Sequence, residues 1–275
     1  MNTIVIKNYS RLKLSIFLVP LALLILIVGF LYSKNALSVK GYIQAQKECF
    51  YNLNSRLGQF PNLEYNLTQF GDALIFSSFL ALIFISAPKM WEALLSASLL
   101  SCLFSSSLKK IFAVPRPAGA FDNNSFVIVG KTLAGHNSIP SGHSITIFTS
   151  LTIVLFAFFP KKIMYKILWI FAILFVGFIL ILTRVGVGAH YPLDTIIGGI
   201  IGFVSGLVGI FICRKYKIWS WIGNKKYYPI FILLFSGCCI SLINRIINEN
   251  LIIFYLAFVS LVVSLYKIVT VYVKK

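Results

Sequence analysis

Residues 139–159 read IPSGHSITIFTSLTIVLFAFF, and the fold turns on how this stretch is taken. It contains no Asp, Glu, Lys or Arg. A run of roughly 18–20 uncharged, mostly apolar residues is what a helix needs to cross the core of a bilayer. In front of this run stands Pro140-Ser141-Gly142-His143. A histidine at the mouth of a membrane helix is an odd choice for structure alone, so the stretch raises a question of chemistry as well as of fold.

The rest of the chain repeats the pattern. Of its 275 residues, 59% are hydrophobic, against roughly 45–50% in soluble domains, and the mean hydropathy is +0.89. Apolar segments fall at 14–33, 72–88, 90–107, 143–160, 165–183, 192–213, 228–244 and 250–268, with a tight turn at Pro88 between the second and third. Their continuous character argues against a barrel, whose strands alternate. The expected fold class is all-α, a polytopic membrane helix bundle. Leu14 to Ser33 is longer than a signal-peptide core and no A-x-A site follows it, so it reads as an uncleaved first span.

The net charge of +18 would suggest nucleic acid on a soluble protein; here it follows membrane topology instead. With the N-terminus in the cytoplasm, the inner loops and ends collect fifteen positives: Lys7, Arg11, Lys13, Lys89, Lys161, Lys162, Lys166, Arg214, Lys215, Lys217, Lys225, Lys226, Lys267, Lys274 and Lys275. That bias favours both termini inside. The five cysteines form no CxxC pair and no cluster with His at zinc spacing. The segment 34–71 mixes apolar and polar residues at helical spacing, which suits either a helix on the membrane surface or an ordinary capping loop.

The positives left outside need a reason. Lys109, Lys110, Arg116 and Lys131 lie between the third and fourth segments, and Arg184 between the fifth and sixth. Three clusters result. In KKIFAVPRP, Lys109 and Arg116 are seven apart, with Pro115 and Pro117 fixing the local chain; taken alone, such a pair binds lipid headgroups. In PSGH, Ser141 is a favoured N-cap and Gly142 permits close backbone approach, so the helix start offers an anion site. His143 sits in its first turn, as a capping residue or as a reacting one. In TRVGVGAHYPLD, Asp194 follows His190 by four, and Pro192 suits a first helical turn. An acidic group at that depth is costly and needs a partner. His190 is the natural one: a carboxylate on one imidazole nitrogen fixes the tautomer and leaves the other nitrogen free to attack.

Together the clusters place two histidines, one aspartate and three strong cations on one surface. His143, His190 and Asp194 could imitate a two-His-one-carboxylate metal site, but Lys109, Arg116 and Arg184 would repel a metal cation. The same cations suit phosphate, and cationic charge around a nucleophilic imidazole reads as phosphoryl transfer.

In order, K-x6-RP, PSGH and (S/T)R-x5-H-x3-D closely resemble the three signature motifs of the type 2 phosphatidic acid phosphatase superfamily. Here they read Lys109–Arg116–Pro117, Pro140–His143 and Thr183–Arg184–His190–Asp194. Thr183 stands where the family usually has Ser, and the hydroxyl survives. The resemblance covers about residues 72–213, which it implies to be the catalytic core. Residues 1–71 would add an N-terminal span and an extracytoplasmic loop, and 214–275 two C-terminal helices beyond the six-helix core. It implies that His190 attacks phosphorus to form a phosphohistidine and that Asp194 orients it. It implies further that His143 protonates the leaving oxygen and that Lys109, Arg116, Arg184 and the amides of Ser141 and Gly142 hold the phosphate oxygens. No metal or other cofactor is implied. Lys131 and His136 lie in the 22 residues between Pro117 and Pro140, which the family does not fix. His136 is expected to be a loop residue, with substrate contact as the other reading.

The substrate implied is a lipid phosphate or diphosphate in the bilayer. For a bacterial chain this means undecaprenyl diphosphate, phosphatidylglycerophosphate or lipid A, met at the inner membrane from the periplasmic or exterior side. No nucleic acid partner is expected. A phosphotransferase of the same fold and a non-catalytic anion transporter are the competing readings.

Overall fold

The structure is a computed structural model that describes residues 1–274; Lys275, counted above among the inner charges, lies outside them. Among the described residues there are twelve α-helices and no strand: α1 (Asn2–Ser10), α2 (Leu18–Ser33), α3 (Val39–Leu57), α4 (Pro61–Thr68), α5 (Ala73–Leu80), α6 (Pro88–Phe112), α7 (Pro117–Ala120), α8 (Gly142–Ala157), α9 (Ile163–Gly186), α10 (Pro192–Lys215), α11 (Tyr228–Glu249) and α12 (Ile252–Val273). The all-helical membrane bundle expected from the sequence is what forms.

Six of the described helical stretches are long and apolar enough to cross a membrane: Leu14–Ser33, Pro88–Ala120, Ile163–Gly186, Pro192–Lys215, Lys225–Glu249 and Ile252–Val273. Two of the eight apolar segments differ. Segment 72–88 is the second arm of a bent pair, Pro61–Gly71 and Ala73–Ile83, which meet at 75°; Pro88 opens α6 rather than closing the segment before it. Segment 143–160 becomes the 16-residue α8, about 24 Å long at 1.5 Å per residue and so shorter than the hydrocarbon core.

α10 is the hub, packed on both α8 and α6. Its glycines permit this. A Cβ on Gly198 would lie 2.6 Å from the Ser141 carbonyl oxygen, so only a bare backbone lets α10 press against the cap of α8. The ends follow local chemistry. The Ser141 hydroxyl accepts from the Ser144 N–H at 3.4 Å. Pro192 opens α10, where a missing N–H costs nothing. Lys109 and Lys110 close α6, against the negative end of its dipole.

The 34–71 segment is largely helical. α3 buries Tyr42, Gln46, Phe50 and Asn54, a stripe at i, i+4, i+8 and i+12 that faces the bundle. Asn54 donates to the carbonyls of Val127, Val185 and Gly186 at 2.9–3.1 Å, tying α3 to the end of α9. At the opposite end of the bundle, α1 is fixed by Asn8 Nδ2 donating to the carbonyls of Ala157 and Phe159. α11 and α12 form an antiparallel pair, and α12 packs on α5.

Candidate active site

Four chain segments converge at one end of the bundle: the end of α6, the start of α8, the end of α9 and the start of α10. Antiparallel packing of successive helices brings them there, which is why motifs up to 85 residues apart (Lys109 to Asp194) can meet. The Ser141 N–H donates to the Asp194 carbonyl at 3.0 Å, joining the second motif to the third. A Cβ on Gly142 would lie 3.4 Å from Lys109 Nζ, which joins the first motif to the second. Arg116 Nη1 donates to the Ala189 carbonyl at 3.4 Å.

His190 is in the short link between α9 and α10 and is 1% exposed; Asp194 is 0% exposed. His190 Nδ1 lies 3.4 Å from Asp194 Oδ2, long for a hydrogen bond, which sets the carboxylate on the Nδ1 side of the ring. Burial first, then the charges of Arg116, Arg184 and Lys109, hold the imidazole well below its ordinary range. It is therefore neutral at neutral pH, the state in which it is a nucleophile. In ligand-free protein labelled at its three histidines, NMR titration is expected to show the His190 ring protonating only below pH 6.5. A midpoint above that value would contradict the burial and charge argument.

The Asp194 carboxylate is saturated. Oδ1 accepts from the Tyr42 hydroxyl at 2.7 Å; Oδ2 accepts from Ser138 Oγ at 2.5 Å and from the Tyr191 N–H at 3.0 Å. These donors hold a buried charge that would otherwise be prohibitive. Burial and the neighbouring Asp194 charge raise the Tyr42 phenol well above its usual range, so it stays a donor.

The cations are less satisfied. Arg116 is 9% exposed and Arg184 6%. Arg116 Nε donates to Asn137 Oδ1 at 2.7 Å and Arg184 Nη1 to Thr68 Oγ1 at 2.8 Å, but Arg184 Nε is buried with no hydrogen-bond partner. Among the described residues neither arginine nor Lys109 is ion-paired. Buried cations are normally paired, so two arginines held here by neutral partners alone are unusual.

Two cavities meet at His143. One, about 620 Å³, runs between α5, α6 and α8 past Ser101, Ser105, Lys109 and Thr146. The other, about 460 Å³, is lined by Tyr65, Thr68, Lys131, Arg184 and Arg245.

Residues 90–219 match the PAP2 superfamily. The resemblance read from the three motifs is thereby borne out, and the PAP2 match contains all of them. The chain is also similar in fold to the crystal structure of Aquifex aeolicus LpxE, with a TM-score of 0.50 and 24% identity, over 62% of this chain and 96% of that one. Among curated proteins, none matches the sequence.

The structure brings together the residues singled out from sequence: Lys109, Arg116, Gly142, His143, Arg184, His190 and Asp194. Ser141 is placed differently. Its N–H is taken by the Asp194 carbonyl and its hydroxyl by the helix cap, so it fastens the site rather than offering an amide to phosphate. The Gly142 N–H, at the first turn of α8, is among those a helix leaves unpaired. Thr183 Oγ1 donates to the Leu180 carbonyl at 2.6 Å, and His136 is exposed in its loop. Sequence reasoning missed Tyr42, Thr68, Asn137 and Ser138. Only Tyr42 left a trace, as the head of the i, i+4 stripe on α3.

Proposed function

We propose that this protein is a membrane phosphatase that hydrolyses a lipid phosphate or diphosphate through a phosphohistidine, without a metal ion. The observation that carries the proposal is the set of three cations, Lys109, Arg116 and Arg184, with no ion pair among the described residues, around a buried neutral imidazole. They would hold the phosphate oxygens with the Gly142 amide, and Arg184 Nε would gain the partner it lacks. His190 Nε2 attacks phosphorus, and the bond from phosphorus to the lipid oxygen breaks. His143, protonated once the phosphate dianion offsets the surrounding cations, gives that proton to the leaving oxygen as the lipid departs. Water then attacks the phosphohistidine while His143 takes a proton from it. The P–N bond breaks back onto Nε2, and inorganic phosphate departs. The net change is one water consumed for one phosphate released.

The cavity between α5, α6 and α8 opens beside His143 and Lys109, which suits a lipid entering from the bilayer with its phosphate leading. The charge distribution favours an extracytoplasmic site. Lys89, Lys161, Lys162 and Lys166 cluster at the end of the bundle away from the motifs, as expected of a cytoplasmic face.

Purified protein in detergent with EDTA present, offered phosphatidic acid, phosphatidylglycerophosphate, undecaprenyl diphosphate and lipid A in turn, is expected to release inorganic phosphate from at least one. Orthovanadate, which mimics the five-coordinate phosphorus, is expected to inhibit, and EDTA is not. Loss of activity in EDTA would revive the two-His-one-carboxylate metal reading. Substrate consumed without equivalent phosphate would point to transfer onto an acceptor.

A further inference from the structure

The bend between α4 and α5 lies outside the matched residues 90–219, and its apex, Gly71, is buried against His143. A Cβ built on Gly71 would overlap the His143 Cβ and lie 2.5 Å from Cδ2 and 2.6 Å from Cγ of the imidazole. No side chain fits between them, so the backbone of Gly71 lies directly on the ring. The bend is held from the other side by the C-terminal pair. Asp72 caps α5, accepting from the Leu74 N–H at 2.8 Å, and its second carboxylate oxygen meets Arg245 of α11 at 2.9 Å. The Arg245 guanidinium lies over the Phe254 ring, 5.9 Å from its centroid. Tyr65 donates to Glu249 at 2.9 Å, and the Ile253 N–H donates to Asn66 at 3.2 Å.

We infer that Gly71, braced through the Asp72–Arg245 ion pair, is the seat of the His143 imidazole, and that these three are positioning residues for the proton donor. This rests on the role proposed for His143 above. A histidine in a first helical turn has more than one staggered rotamer, and His143 borders two cavities that would admit a swing. The Gly71 backbone blocks that swing. The inference also gives the two C-terminal helices a task that the six-helix core does not explain: they fix the bend at its outer edge.

The test uses full-length protein and reads kcat/KM, which reports the first chemical step, on a lipid phosphate with an alkyl leaving oxygen and on p-nitrophenyl phosphate, whose leaving group needs no proton. Gly71→Ala is expected to lose about 10²-fold on the lipid, as a displacement of about 1 Å does, and to stay within about threefold on the aryl ester. Arg245→Met, which leaves the apex intact, is expected to show the same split with a smaller loss, about threefold to tenfold on the lipid. In a His143→Ala background Gly71→Ala is expected to cost nothing further. Equal losses on both substrates, or a further loss without His143, would reduce Gly71 to packing and overturn the inference. If Gly71→Ala fails to elute as folded protein, Arg245→Met alone decides, and an unsplit or absent effect overturns it. Wild-type protein that turns over neither substrate would instead overturn the phosphatase reading on which it stands.

Discussion

Replacing His190 with Ala is expected to lower phosphate release by about 10⁴-fold or more, the scale on which loss of a nucleophile acts, while the protein still folds. The two halves of this result come from different parts of the geometry. On the proposed mechanism the chemistry depends on one atom, Nε2 of His190. His143 lies at the start of α8 against Gly71, where the proposed mechanism uses it as a donor to the leaving group. Folding depends on Asp194, and of its four contacts only the weakest, at 3.4 Å, involves His190. Tyr42, Ser138 and the Tyr191 N–H remain, so the buried carboxylate keeps its compensation. The measurement is phosphate release beside size-exclusion elution and thermal melting of the same preparation. Turnover within a hundredfold of wild type, in protein that melts normally, would remove His190 as the attacking group.

That these residues would converge was legible in the sequence for a physical reason. Groups that hold a phosphate and attack it must be of particular types, and helix ends must present them, so Ser141 as a cap and Pro192 at a first turn locate His143, His190 and Asp194 along the chain. The support of the site was not legible, because it is non-local. Ser138 and Tyr42 reach Asp194 from 56 and 152 residues away, and a hydroxyl used in this way looks like any other. The bent pair hid for a related reason. α4, with sequence PNLEYNLT, is too polar and too short to announce itself as part of a membrane helix, and it is positioned by tertiary contacts, Thr68 with Arg184 and Asn66 with Ile253. A hydropathy reading therefore begins the segment at residue 72, one position after the glycine that lies on His143.

The second large effect is expected from Asp194→Asn, a loss of about 10²–10⁴-fold in kcat/KM, by analogy with the carboxylates that orient histidine in other enzymes. The change keeps volume and can keep most of the hydrogen bonds. If the new amide nitrogen takes the Oδ1 position, it meets the Tyr42 hydroxyl, which can turn from donor to acceptor. The amide oxygen then still receives Ser138, the Tyr191 N–H and His190. What disappears is the negative charge beside an imidazole that, on the proposed mechanism, becomes positive as Nε2 bonds to phosphorus. In a site already crowded with Lys109, Arg116 and Arg184, that positive charge has no other carboxylate within reach among the described residues. The loss should therefore fall on the chemical step, with KM little changed and thermal stability close to wild type. Asp194→Ala is the necessary companion. It strands three buried donors, at about 1–3 kcal/mol each, and should melt distinctly lower. An Asn variant that retains activity within tenfold of wild type would show that the Asp194 carboxylate is a structural tie rather than the partner of the nucleophile.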